Sequence, residues 1–236
     1  MKPISDFKKL SFPARCVIVL FGMAALLASG WAMVSVAAPH AGRLLLLVML
    51  GAASAHLKVR LTKTSSLSLL TSVVMLALMS DGVVAAVAVG IAGVTVQAFL
   101  PSKKLVVHRL VFNAAMVALA VHAASVPYYW VISQNLAVTV LGHLIGIGAA
   151  SLTYYLGNSF SISLIVGLTE CKSVFRIWYD HFLAAAPSFL SSGLLSIVFA
   201  EILAKTIIGA AVLLPLMYVS YRAVRMAGKP VPSPAS

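Results

Sequence analysis

Arg109 and Asn113 stand one helical turn apart, and Thr153, Tyr154, Tyr155 and Asn158 crowd a short stretch of an otherwise apolar chain. On a helix, residues four apart share a face, so Arg109 and Asn113, flanked by His108, could hold a small anion or a polar lipid headgroup. The competing reading has Arg109 snorkelling to lipid phosphates while Asn113 bonds a neighbouring helix. The Thr153–Tyr154–Tyr155 run with Asn158 could line a ligand cavity. It could equally be an interfacial aromatic belt followed by a helix-bending polar residue. His122 and His143 would make a proton or metal site only if they met. No Cys, His or Asp ligand spacing surrounds them, so single, satisfied histidines are expected and no metal site is assigned.

Catalytic chemistry finds little to use. The chain has only five acidic residues, Asp6, Asp81, Glu170, Asp180 and Glu201. It has no Gly-x-Ser-x-Gly elbow and no His-Glu-x-x-His, and no two acids share one helix face. The expectation is a protein that is not an enzyme and needs no cofactor. Glu201 and Lys205 have the spacing of a helical ion pair, and Asp81 is expected in a solvated turn.

What must position these residues is a set of apolar helices. Of 236 residues, 61% are hydrophobic and 9% charged, far below the roughly one quarter charged in a soluble domain. The net charge of +12 is spread in short basic groups between apolar runs, the arrangement of membrane orientation signals. It does not form the continuous basic face that phosphates require, so nucleic acid is excluded as a partner. Membrane lipids are the expected surroundings.

Apolar segments run over 16–38, 44–57, 66–80, 82–100, 106–131, 136–169, 184–204 and 206–221, which predicts an all-α bundle of about eight transmembrane helices. The first is expected to be a retained helix, being longer than a signal-peptide core. Asp81-Gly82 is a turn dipeptide and predicts a helical hairpin. Segment 136–169 is long enough for one tilted helix or for two elements. If it crosses once, Arg43 and Lys205 alone remain on one side, and the other basic residues gather opposite. The positive-inside rule then puts both termini in the cytoplasm, with the bundle in the cytoplasmic (inner) membrane of a bacterium. Between Cys171 and Leu183, apolar and charged residues alternate, predicting a short amphipathic interfacial helix with Trp178 and Tyr179 at headgroup level. The domain reading is a cytoplasmic segment 1–15, a transmembrane domain 16–222 and a disordered cytoplasmic tail 223–236. Small residues at helical spacing, Ala86, Gly90 and Gly93 with Gln97, and Gly142, Gly146 and Ala150, mark faces that should touch other helices.

Three stretches carry a likeness: Val107-His108-Arg109-Leu110-Val111-Phe112-Asn113, then Leu152-Thr153-Tyr154-Tyr155-Leu156-Gly157-Asn158, then Phe175-Arg176-Ile177-Trp178-Tyr179-Asp180-His181-Phe182 leading to Pro187-Ser188. Together they resemble bacterial membrane-associated sensor domains that precede HD-GYP phosphodiesterase, diguanylate cyclase or PAS modules. The resemblance implies a helical domain that binds a ligand or partner within the membrane and relays its state to a cytoplasmic signalling protein. Here the signalling output is expected to come through a separate partner or to be absent. The chain is also similar to the substrate-binding membrane subunits of energy-coupling-factor (ECF-type) small-molecule transporters, although those have about six helices.

Overall fold

The computed structural model describes residues 7, 10–36, 39–55, 58–60, 66–99, 106–134 and 140–205. Among them the chain forms α1 (Phe12–Ser35), α2 (Ala41–Ser54), a two-stranded antiparallel ribbon β1 (Lys58–Arg60) and β2 (Ser66–Ser68), α3 (Leu69–Phe99), α4 (Val107–Ser133), α5 (Val140–Glu170), α6 (Val174–His181), a 3₁₀ turn (Leu183–Ala185) and α7 (Ala186–Lys205).

The helix ends follow from local chemistry. Ser11 caps α1 by accepting the Ala14 N–H, and Pro13 sits in the first turn, where its missing N–H costs nothing. The helix therefore starts four residues before the apolar run does. α5 ends at Cys171, which takes a left-handed φ of 53°, while the Lys172 N–H returns to the Gly167 carbonyl. That is the closure that satisfies orphan carbonyls at a helix C-terminus. Ser173 then caps α6 through the Arg176 N–H.

α3 folds back on itself. Gly82 has φ 84° and ψ −173°, a backbone region essentially reserved for glycine. A Cβ on Gly93 would run into Leu70, and one on Gly90 would lie 3.7 Å from Val74. Residues before and after Gly82 thus lie side by side as an antiparallel hairpin, as the Asp81-Gly82 turn predicts. Its first arm starts later than expected, because residues 66–68 pair with residues 58–60 as strand. At 1.5 Å per residue, residues 69–81 and 83–99 make arms of about 20 and 25 Å. Segment 136–169 resolves as one long helix, α5, of 31 residues.

The pairing is antiparallel for α4 and α5, with Gly157 against Ala120 and Gly146 against Tyr128. α1 runs parallel to α4, with Phe21 on Phe112 and Ser29 on His122. The small-residue faces do the work expected of them: Gly90 admits Val117 of α4, Gly51 admits Val89, and Ala86 is fully buried. In lipid, such close approach supplies the dispersion energy that holds helices together.

Four stretches, Phe12–Ser35, Leu69–Phe99, Val107–Ser133 and Leu183–Leu203, are by length and composition candidates to cross a membrane, Leu69–Phe99 being folded back on itself at Gly82, and Ala41–Ser54 is a shorter apolar helix. α1 displays Leu26, Trp31 and Val34 at 75%, 76% and 89% exposure, an apolar surface too extensive for water. The chain is therefore an all-α, multi-span membrane protein. Among the described residues there are seven α-helices: six cover the apolar segments up to 204, α3 absorbing two of them, and α6 falls on the stretch expected to form the short amphipathic helix. Segment 206–221 and the tail 223–236 lie outside the described residues.

α6 differs from the expected interfacial helix in what holds it. It folds back along the end of α5: Val174 lies beside Gly167, Trp178 donates to Ser159 Oγ at 2.9 Å, and Trp178 stacks on Phe160 with centroids 4.6 Å apart. Val174, Ile177 and Trp178 are covered by protein to differing degrees, while Phe175, Tyr179, Arg176 and Asp180 remain exposed.

Candidate ligand cavity at the Asp81 end

The Gly82 break carries Asp81 to the tip of the α3 hairpin, and the first turn of α2 brings Arg43 to the same place. Arg43 Nε donates to Asp81 Oδ1 at 2.8 Å, with the aspartate side chain 1% exposed and the arginine 45%. The solvated turn carboxylate expected from sequence is thus a buried one. Burying a carboxylate without a counter-charge is costly, and Arg43 supplies that counter-charge. Asp81 Oδ2 is buried with no hydrogen-bond partner.

Arg43 also faces a cavity of about 490 Å³ between α2, α3, α4, α5 and α7, lined by Met79, Ser80, Tyr128, His143, Ile197, Ala200, Glu201 and Leu203. A second cavity of about 520 Å³, lined by His40, Gly42, Leu46 and Leu203, meets it at Arg43. The polar groups on the first wall are chemically varied. Arg43 supplies a guanidinium, Glu201 a carboxylate, Tyr128 and Ser80 hydroxyls, and His143 a ring whose Nδ1 is buried without a partner. Ser80 already donates to the Leu76 carbonyl at 2.8 Å, which leaves its oxygen free to accept. Such a wall offers a small polar molecule charged and neutral hydrogen-bonding groups on one surface.

The residues singled out from sequence fall elsewhere and at two levels. Arg109 is exposed and Asn113 half-buried in the first two turns of α4. Tyr154 and Tyr155 are buried in mid-α5, at 4% and 2% exposure, and Thr153 and Asn158 are half-buried. Since Gly157 lies against Ala120, Asn158 is level with a point some six residues, about 9 Å, along α4 from Asn113. The tyrosines belong to an aromatic joint: Tyr155 lies 5.2 Å from Phe189 and 6.4 Å from Trp178 between ring centroids, and its hydroxyl donates to the Phe182 carbonyl at 3.0 Å. Thr153 turns its hydroxyl back to the Ala149 carbonyl. None of the six residues lines the Asp81-end cavity.

The two histidines do not meet. His122 bonds Ser29 of α1 at 3.3 Å and borders an apolar groove of about 470 Å³ between α1, α3 and α4, whereas His143 is in the cavity wall. Glu201 also lines the cavity, and the side chain of its expected partner Lys205 lies outside the described residues.

Sequence reasoning passed over Arg43, Ser80 and Tyr128. A signal for Arg43 was present, since a lone arginine on the side with almost no positive charge is anomalous under the positive-inside rule. Also unread was Ser188, Ser192 and Ser196, a four-residue period now buried along α7. Against it, Gly193 lies so close to Ser151 of α5 that a Cβ there would collide. Compared with known proteins, the chain matches no family model, no curated protein and no solved structure.

Proposed function

We propose that this membrane protein is a sensor-like or accessory component that binds a small ligand in the Asp81-end cavity and relays occupancy to a cytoplasmic partner, without turning over a substrate. The observation that carries this reading is α7. At one end it places Ile197, Ala200 and Glu201 in the cavity wall. Its middle is seated on α5 through Gly193, against Ser151, while Ser196 donates to Met79 of α3. Its start sets Phe189 against Tyr155, which holds the Phe182 carbonyl where the 3₁₀ turn leads into α6. A ligand that favours one seating of α7 over another therefore acts on α6 through packed groups, and differential affinity for two such states is what a relay requires.

The basic-residue asymmetry favours a cytoplasmic side bearing both termini, and the likeness to sensor domains agrees in kind. On this topology the cavity opens to the outer face of a bacterial inner membrane. The test is to purify the full chain in nanodiscs, identify co-purifying proteins and small molecules by mass spectrometry, and assay lipid and peptide hydrolysis. The expected result is a bound small molecule or signalling partner and no turnover. Steady turnover abolished by His143→Ala would overturn the reading. Recovery of a transporter ATPase would replace it with a substrate-binding role in an ECF-type transporter.

A further inference from the structure

We infer that the ligand of the Asp81-end cavity is a small zwitterion of the α-amino-acid class with an apolar side chain. This rests on reading that cavity as the ligand site and adds the chemistry of the occupant. Two opposite charges, Arg43 on α2 and Glu201 on α7, line the same space. The ion pair of Arg43 goes to Asp81, through Nε alone. That contact fixes the plane of the guanidinium and leaves its two terminal nitrogens as a fork, the geometry that matches a carboxylate. Glu201, on a different helix, supplies the acceptor for an ammonium.

The rest of the wall agrees with this class. His143 carries a buried, unpartnered ring nitrogen and Ser80 a free acceptor, so the polar end of the ligand has further bonds to make. Met79, Ile197 and Leu203 supply an apolar surface for a side chain. A volume of about 490 Å³ lies in the ordinary range for a small-molecule site, roughly 300–1,000 Å³. A simple anion would leave Glu201 facing like charge, and a simple amine would leave the terminal nitrogens of Arg43 unmatched. A molecule carrying both signs answers both walls.

The experiment measures binding of labelled L-leucine to the full chain in nanodiscs, with 4-methylpentanoate as carboxylate-only probe and isopentylamine as amine-only probe. Saturable leucine binding is expected, with each single-charge analogue at least about tenfold weaker, a loss of about 1.4 kcal/mol or more. Glu201→Gln, a change at an exposed position, is expected to weaken leucine at least about tenfold while leaving the thermal midpoint of the empty protein in place. Arg43→Lys should weaken it too, because a lysine cannot present a fork. Equal binding of 4-methylpentanoate and leucine would overturn the zwitterion assignment. Failure of all three probes, while a different small molecule co-purifies and is lost on Glu201→Gln, would overturn the ligand class but keep the cavity as the site. Failure of all three with no co-purifying molecule would overturn both.

Discussion

At the residue scale the molecule turns on Asp81 and Gly82. Gly82→Ala is expected to lower the thermal midpoint in detergent, because alanine at φ 84°, ψ −173° is strained by about 1–3 kcal/mol. Its Cβ would also lie 3.2 Å from the Tyr129 hydroxyl. An unchanged midpoint would show that the hairpin does not turn there. Asp81→Asn keeps the shape and removes the charge that Arg43 meets. With Arg43 half exposed, the loss should stay near the low end of the roughly 1–3 kcal/mol for an unmade charged hydrogen bond. Arg43→Ala should cost more, since it leaves the buried carboxylate unpaired. Denaturation of the two variants side by side checks that order; equal losses would show that Asp81 needs no counter-charge. Sequence gave Asp81 the right turn but the wrong surroundings, because local turn chemistry says nothing about which distant helix start will cover it.

At the element scale, small residues decide which helices touch. Gly193→Val should separate α5 from α7, since even the first added carbon collides with Ser151. The expected loss is about 1–3 kcal/mol, the usual cost of overpacking. The same change should disturb the Tyr155–Phe182 contact, read as altered tyrosine and tryptophan fluorescence. A neutral outcome in both readouts would remove the seam that α7 provides. The hairpin at Gly82, the single long α5 and the contact faces at Gly90, Gly93 and Gly146 were legible, because turn dipeptides, length and helical periodicity are local or nearly local signals. The β1–β2 ribbon was not, since residues 66–68 continue an apolar run and only their pairing with residues 58–60 makes them strand. Nor was the seating of α6 on α5. An amphipathic stretch reads alike whether its apolar face meets lipid or a ring such as Phe160.

At the scale of the whole molecule, the helix pairing gathers charged groups at two opposite ends. Arg43, Asp81 and Glu201 lie at one end, while Ser11 bonds the Leu168 carbonyl at the other, near the Lys172–Glu170 ion pair. α2, of 14 residues, and the first arm of α3 are both near 20 Å long, shorter than a hydrocarbon core of about 30 Å. Whether they cross or turn back, they return Arg43 and Asp81 to one side, so the sidedness of α4, α5 and α7 does not depend on them. The multi-helix class was legible from composition because apolar length alone specifies it. The Asp81-end cavity was not, because its wall draws residues from five elements and no spacing in the chain joins those elements. The central claim is a membrane bundle whose cavity faces outward. Cysteine labelling in intact cells tests it most directly, in a Cys16→Ser background with the exposed native Cys171 as the reporter of one end and His40→Cys, at an exposed position beside the cavity, as the reporter of the other. The account predicts that an impermeant maleimide labels the cysteine at 40 in intact cells and reaches Cys171 only after permeabilisation; labelling of Cys171 in intact cells with protection at position 40 would contradict it.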